Sequence, residues 1–249
     1  MVTEMDPAKD RKPYAEAAVQ HLDHVLEEYR SGLDEITPEN CSALFICSSL
    51  MVVFSFGYAL CGLPRSEKDK TTIDEITDIF FLLRGSQAVI DVAWPWLQKS
   101  DLKVMLTGFN MDTKVVLPAE AEASFQRLRE YNSLDRLDAE DQQVYETAIE
   151  VLHDLYTRVI PEWSDKALVH SWIMGVETSY IQFLLDRRPL ALAILAHYAA
   201  LMLTVSDHWW AGRWSEQLVA DISQAIGAED QHLICWPLKA VREPGNVFG

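Results

Sequence analysis

The chain has few cysteines and arranges none of them for chemistry. Among its 249 residues Cys41, Cys47, Cys61 and Cys235 stand apart, with no CxxC or CxxC-H spacing, so neither a zinc site nor a disulfide framework is signalled. Free thiols in a reducing compartment are the expectation. Positive charge is scarce as well: 21 lysines and arginines face 38 acids, a net charge of −17. The summed field repels phosphate, so direct nucleic-acid contact by this chain is not expected. Also missing are GxSxG, a glycine-rich phosphate loop, HExxH and the DDxxD that would hold magnesium and diphosphate; no catalytic motif, metal or cofactor is signalled. His21 and His24 lie three apart without a further ligand at metal spacing. The first twelve residues are polar and lack the apolar stretch of a secretory signal, which predicts an intracellular protein.

What remains is a helical pattern. No stretch alternates with period two, and no repeat or Ser/Gly linker interrupts the chain. Val19, Leu22, Leu26 and Tyr29 predict an amphipathic helix from Pro13 to near Gly32. Thr37-Pro38-Glu39 reads as a helix start. Ile73, Ile76, Phe80 and Leu83 begin another helix, expected to break or bend at Trp94-Pro95-Trp96. Ser100-Asp101 can cap a short helix to Gly108, Pro118 opens a more polar one, and Asp138 caps a long one closed by Pro161. Leu168 to Leu185, Leu190 to Val205 and Ser215 to Ile226 complete the series. The prediction is an all-α fold, a single multi-helix domain of about nine or ten helices with buried central helices. Residues 1–13 are expected to be disordered or extended, 14–240 to form the domain, and 241–249 to be a flexible tail.

Two segments are apolar without a polar face. Ala43 to Cys61 runs nineteen residues with no charge, the lower edge of membrane-spanning length, but Ser48, Ser49, Ser55 and Gly57 weaken it. Leu190 to Val205 is shorter and holds His197. Two buried central helices account for both, and no membrane span is expected.

Several separated motifs occur in a familiar order: Glu35-Ile36-Thr37-Pro38-Glu39-Asn40-Cys41, Leu82-Leu83-Arg84-Gly85, Trp94-Pro95-Trp96-Leu97, Arg188-Pro189-Leu190 through His197-Tyr198-Ala199, His208-Trp209-Trp210 and Trp236-Pro237. Together, from about Tyr14 to Pro237, they resemble the C-terminal regulatory domain of fungal zinc-cluster transcription factors, the sterol uptake control regulators in particular. The resemblance implies an all-helical domain that binds a sterol-like lipid in an apolar pocket, can form a homodimer and controls a transcription activator in the nucleus. The family's zinc cluster, six cysteines among lysines and arginines, has no counterpart here. Such a chain is expected to be a piece of a longer regulator, a shortened product with sensing separated from DNA binding, or a descendant with another task.

Which side chains touch a ligand does not follow from the match, so candidates are read from the residues themselves. Trp172, Trp209, Trp210 and Trp214 could wall a site for a fused-ring or terpenoid ligand, or simply pack. Met202 would add an adaptable wall, and Ser49 and Phe56 represent the helix after Asn40. His197, on an apolar helix, is either a satisfied neutral core imidazole or a partner for a ligand hydroxyl. Glu177 is either solvated or an acceptor for a polar ligand head. The alternative function is an enzyme repurposed from this domain, a cofactor-free cyclase or isomerase acting on an apolar terpenoid or polyketide intermediate, with His197 or Glu177 as acid/base.

Overall fold

A computed structural model describes residues 7–59, 70–103, 115–134, 137–158 and 168–244. The fold is all-α, with no strand among the described residues. Ten α-helices are complete among them: α1 Pro7–Asp34, α2 Cys41–Ala59, α3 Thr72–Leu97, α4 Ala119–Asn132, α5 Ala139–Arg158, α6 Leu168–Gly175, α7 Thr178–Leu185, α8 Pro189–Leu201, α9 Trp214–Ala225 and α10 Cys235–Arg242. Short 3-10 turns at Met202–Val205 and Gln231–Ile234 follow α8 and precede α10. The chain divides into two compact units, one drawn from 1–70 and 81–108, the other from 71–80 and 109–249.

In the first unit α1 and α2 pack antiparallel. Thr37 starts α2 as its sequence predicts: its backbone N–H donates to Asn40 Oδ1 at 2.8 Å, the Asn40 N–H returns to Thr37 Oγ1 at 3.3 Å, and the Thr37 carbonyl accepts from Cys41 at 2.9 Å. Gly32 allows the close crossing, because a Cβ there would lie 2.9 Å from Leu44 Cδ2. Cys41, Ala93 and Leu97 form a small core with Ile36, Phe45, Trp96 and Leu102 against it. Among the described residues α2 is long and apolar enough to cross a membrane, and less than half of that stretch, 44%, is buried; α7 and 189–205 pass the same test only together, bent by 105°.

The second unit is built around α8, whose residues from Leu190 to Leu201 are all buried. Its helices α4, α5, α7, α9 and α10 pack around this axis. Hydrogen bonds tie the shell to the axis: the Tyr156 hydroxyl donates to the His197 carbonyl at 2.6 Å, and Tyr180 to the Ala191 carbonyl at 2.9 Å. Burial holds both phenols protonated, so they donate. At the corner before α8, Arg187 takes a left-handed φ of 53° and pairs with Asp74, while Arg188 lies 3.9 Å over the Phe183 ring and pairs with Asp141. The first turn of α3 is anchored here too, its Thr72 N–H donating to Asp221 at 2.8 Å.

Several boundaries differ from the sequence expectation. Residues 7–13, expected to be disordered or extended, are the start of α1, with Pro13 inside it; proline removes one donor without preventing helix on its N-terminal side. Pro95 likewise sits inside α3, in its last turn, where few bonds remain to be lost. The helix expected from Leu168 to Leu185 is two helices. Glu177 turns extended between them (φ −73°, ψ 155°), and Gly175 lies where a Cβ would come 2.9 Å from Val151 Cγ1. The α8 helix tightens into a 3-10 turn at Met202, and α10 extends to Arg242, into the segment expected to be tail. Cys61, Gly108, Pro161 and residues 245–249 lie outside the described residues; Cys41, Cys47 and Cys235 are free thiols.

Candidate functional site

The sequence candidates fall into three environments. Trp172, Trp214, Met202 and His197 belong to the core of the second unit. Trp172 donates its indole N–H to the Ala148 carbonyl at 3.0 Å and stacks on Tyr198, ring centroids 4.6 Å apart, with Phe80 and Tyr180 meeting it edge-on. Every face of that indole is taken by protein. In the first unit Phe56 is fully buried and the half-buried Ser49 donates its hydroxyl to the Phe45 carbonyl at 2.9 Å. Glu177, by contrast, is exposed at the start of α7.

His197 is a satisfied core residue. Its Nδ1 lies 2.8 Å from the Ala193 carbonyl, which can only accept, so the proton is on Nδ1; Nε2 then accepts from the Ser124 hydroxyl at 2.7 Å. The ring stacks on Trp236 at 5.6 Å and leans on Phe125 at 5.2 Å. Burial pushes the imidazole down to about 4, with Arg127 adding to the effect against the opposing Ala193 bond. Both nitrogens are committed to protein. No hydrogen bond or ring contact joins His197 to Glu177 among the described residues.

A different group gathers where α6 and α8 meet the turn after the 3-10 segment. The indole of Trp210 meets two imidazoles, His170 tilted at 5.1 Å and His208 edge-on at 5.5 Å. The Tyr198 hydroxyl, buried and held protonated, lies 3.4 Å from His170 Nδ1. Burial, then the neighbouring His208, pushes His170 down to about 4, so it is neutral at physiological pH. His208 Nδ1 lies 3.1 Å from Asp207. Beside them Trp209 is 75% exposed, a large apolar surface in water next to the half-buried Trp210. An imidazole held neutral beside an indole suits a ligand that is mostly apolar with a single hydroxyl. The sequence reading had Trp209 and Trp210 but missed His170; its place two residues before Trp172 was the available signal.

No group of three or more histidine, cysteine, aspartate or glutamate side chains able to hold a metal occurs among the described residues. Burial raises the Cys47 thiol, the opposite of activation.

Over 197 residues the chain is 27% identical to a protein of Gibberella zeae described as a Zn(2)-C6 fungal-type transcription factor. The chain is related to a fungal transcription factor. The alignment takes in 70% of this chain and 37% of that protein, so the chain spans little more than a third of its relative. No family model and no solved structure matches it.

Proposed function

We propose that this chain is a regulatory domain of a fungal transcription regulator, responsive to a sterol-like or terpenoid lipid. The observation that carries the regulatory role is the alignment to a Zn(2)-C6 transcription factor across most of the chain. The ligand class is supported by the site: the exposed Trp209 offers apolar ring surface, and next to it the half-buried Trp210 packs with His170, an imidazole that burial keeps neutral. A ligand held there acts by binding one arrangement of the domain better than another, shifting which partner surface is presented. DNA contact then belongs to another module, consistent with the charge of −17, and the site of action is the nucleus. Homodimer formation, which the sequence resemblance implies, fits the same role.

The test is ligand-dependent stabilisation. With cholesterol or a triterpenoid at saturating concentration the melting temperature is expected to rise, and native mass spectrometry to show the added mass. Trp210→Ala is expected to keep its helical circular dichroism and lose the shift. Absence of any shift across sterols and terpenoids overturns the ligand class. Fusion to a foreign DNA-binding domain separately tests the regulatory role: reporter output is expected to change when cellular sterol is depleted.

A further inference from the structure

On one flank of the antiparallel pair α1 and α2 two clefts lie end to end. The first, of about 530 Å³, is apolar and walled by Leu22 and Val25 of α1 and by Ile46, Leu50 and Phe54 of α2. Leu50 is 61% exposed, Val25 43% and Ile46 42%, a contiguous apolar surface in water of the kind that marks an interaction site. The second, of about 640 Å³, is lined by Glu27, Glu28 and Glu35 where α1 ends and by Thr37 and Asn40 where α2 begins. Helical spacing joins the two. On α1 the wall passes from Val25 to Glu28 and Gly32, and on α2 from Leu50 through Cys47 and Ala43 to Asn40, in steps of three and four residues that keep to one side of each helix.

The walls and the charge limit what can occupy this trough. Both walls are α-helices, whose backbone groups are bonded within each helix, so neither offers an edge to an extended peptide. A polypeptide guest must satisfy its own N–H and C=O groups by being helical. The trough follows α1 from Ala18 to Glu35, about 26 Å at 1.5 Å per residue, the length of a helix of about five turns. Glu27, Glu28 and Glu35 are exposed at one end of it, and among the described residues none of the three is in an ion pair. They are not part of a group able to hold a metal ion either. The net charge of −17 adds to their field, so an anionic guest is repelled and the complement is positive charge carried on the guest itself. Lysine or arginine in the last turn of a helix is also where the helix dipole favours it.

We propose that the α1–α2 trough docks an amphipathic helix of a partner protein, its apolar face on Leu50 and the basic residues of its last turn over Glu27, Glu28 and Glu35. The surface stands whether or not the Trp210 site takes a lipid. Fluorescence anisotropy with the full chain and three labelled peptides of about eighteen residues tests it. All three peptides carry leucine at helical spacing along one face; the last turn bears three lysines in the first, three glutamines in the second and three glutamates in the third. The lysine peptide is expected to bind at least about tenfold more tightly than the glutamine peptide, with the glutamate peptide weakest and the lysine advantage shrinking as salt rises. Leu50→Gln, which changes no charge, is expected to weaken the lysine peptide at least about tenfold, the scale of an anchor lost, with unchanged circular dichroism because the side chain is exposed. Glu27→Gln with Glu28→Gln and Glu35→Gln is expected to erase the lysine advantage and leave the affinity for the glutamine peptide as it was. Equal affinity of the wild-type chain for the lysine and glutamine peptides, no binding of any peptide, or binding indifferent to Leu50→Gln overturns the proposal. Displacement of the lysine peptide by neutral phospholipid vesicles overturns it in favour of lipid, and self-association of the chain that Leu50→Gln abolishes overturns it in favour of a second copy.

Discussion

Two helices of nearly the same apolarity have opposite surroundings. Both α2 and α8 are apolar on every side, and neither has a polar stripe from which an outward face could be read. The α8 helix is enclosed, with every residue from Leu190 to Leu201 buried. The α2 helix buries Cys41, Leu44, Ser48, Met51, Val52, Phe56 and Gly57 and leaves Ile46 and Leu50 in water. The difference lies in the neighbours. Helices α4, α5, α7, α9 and α10 pack around α8, whereas the outer side of α2 shares an open groove with α1. Uniform apolarity therefore reports that a helix wants partners and says nothing about whether its own chain supplies them.

The comparison is sharpest with one substitution made in both helices. Leu195→Ala, in the enclosed helix, is expected to cost about 2–5 kcal/mol in urea unfolding; a loss under 1 kcal/mol would mean that α8 is less tightly surrounded than described. The next effect belongs to the enclosed helix alone. His197 titrates near 4 in the fold against an ordinary 6.5, so the unfolded chain binds the proton first as pH falls. Stability is full above pH 6.5 and declines by up to about 3 kcal/mol on the way to pH 4. His170 adds to the decline with the same sign. His197→Gln, though less stable at pH 7, is expected to show a flatter acid limb in unfolding curves taken between those values; an unchanged slope would place the titration elsewhere. The smallest effect is the counterpart in α2: at concentrations where the chain is monomeric, Leu50→Ala is expected to shift unfolding by no more than about 0.5 kcal/mol. A loss equal to that of Leu195→Ala would erase the distinction between the helices.

Much of the helical order was legible residue by residue. Thr37 and Asp138 cap where their side chains predict, Asp138 Oδ1 accepting from the Asp141 N–H at 2.8 Å, because capping is a local contest between side chain and backbone. Breaks were less legible. Pro13 and Pro95 do not stop their helices, while the run from Leu168 to Leu185 breaks after Gly175, which lies close against Val151, at the extended Glu177. The site was half legible: tryptophans announce themselves, but whether an indole is sealed like Trp172 or open like Trp209 depends on residues far away in the chain.

By itself the sequence determined the all-α class, the helix caps, the acidic field and the two apolar helices, all consequences of local propensity, periodicity and composition. Only the tertiary structure decided that His197 is satisfied by Ser124 and Ala193, that His170 joins Trp210, and that α2 keeps an open flank. Those depend on which distant surfaces meet, and contact between distant segments leaves no mark in the spacing of residues along the chain.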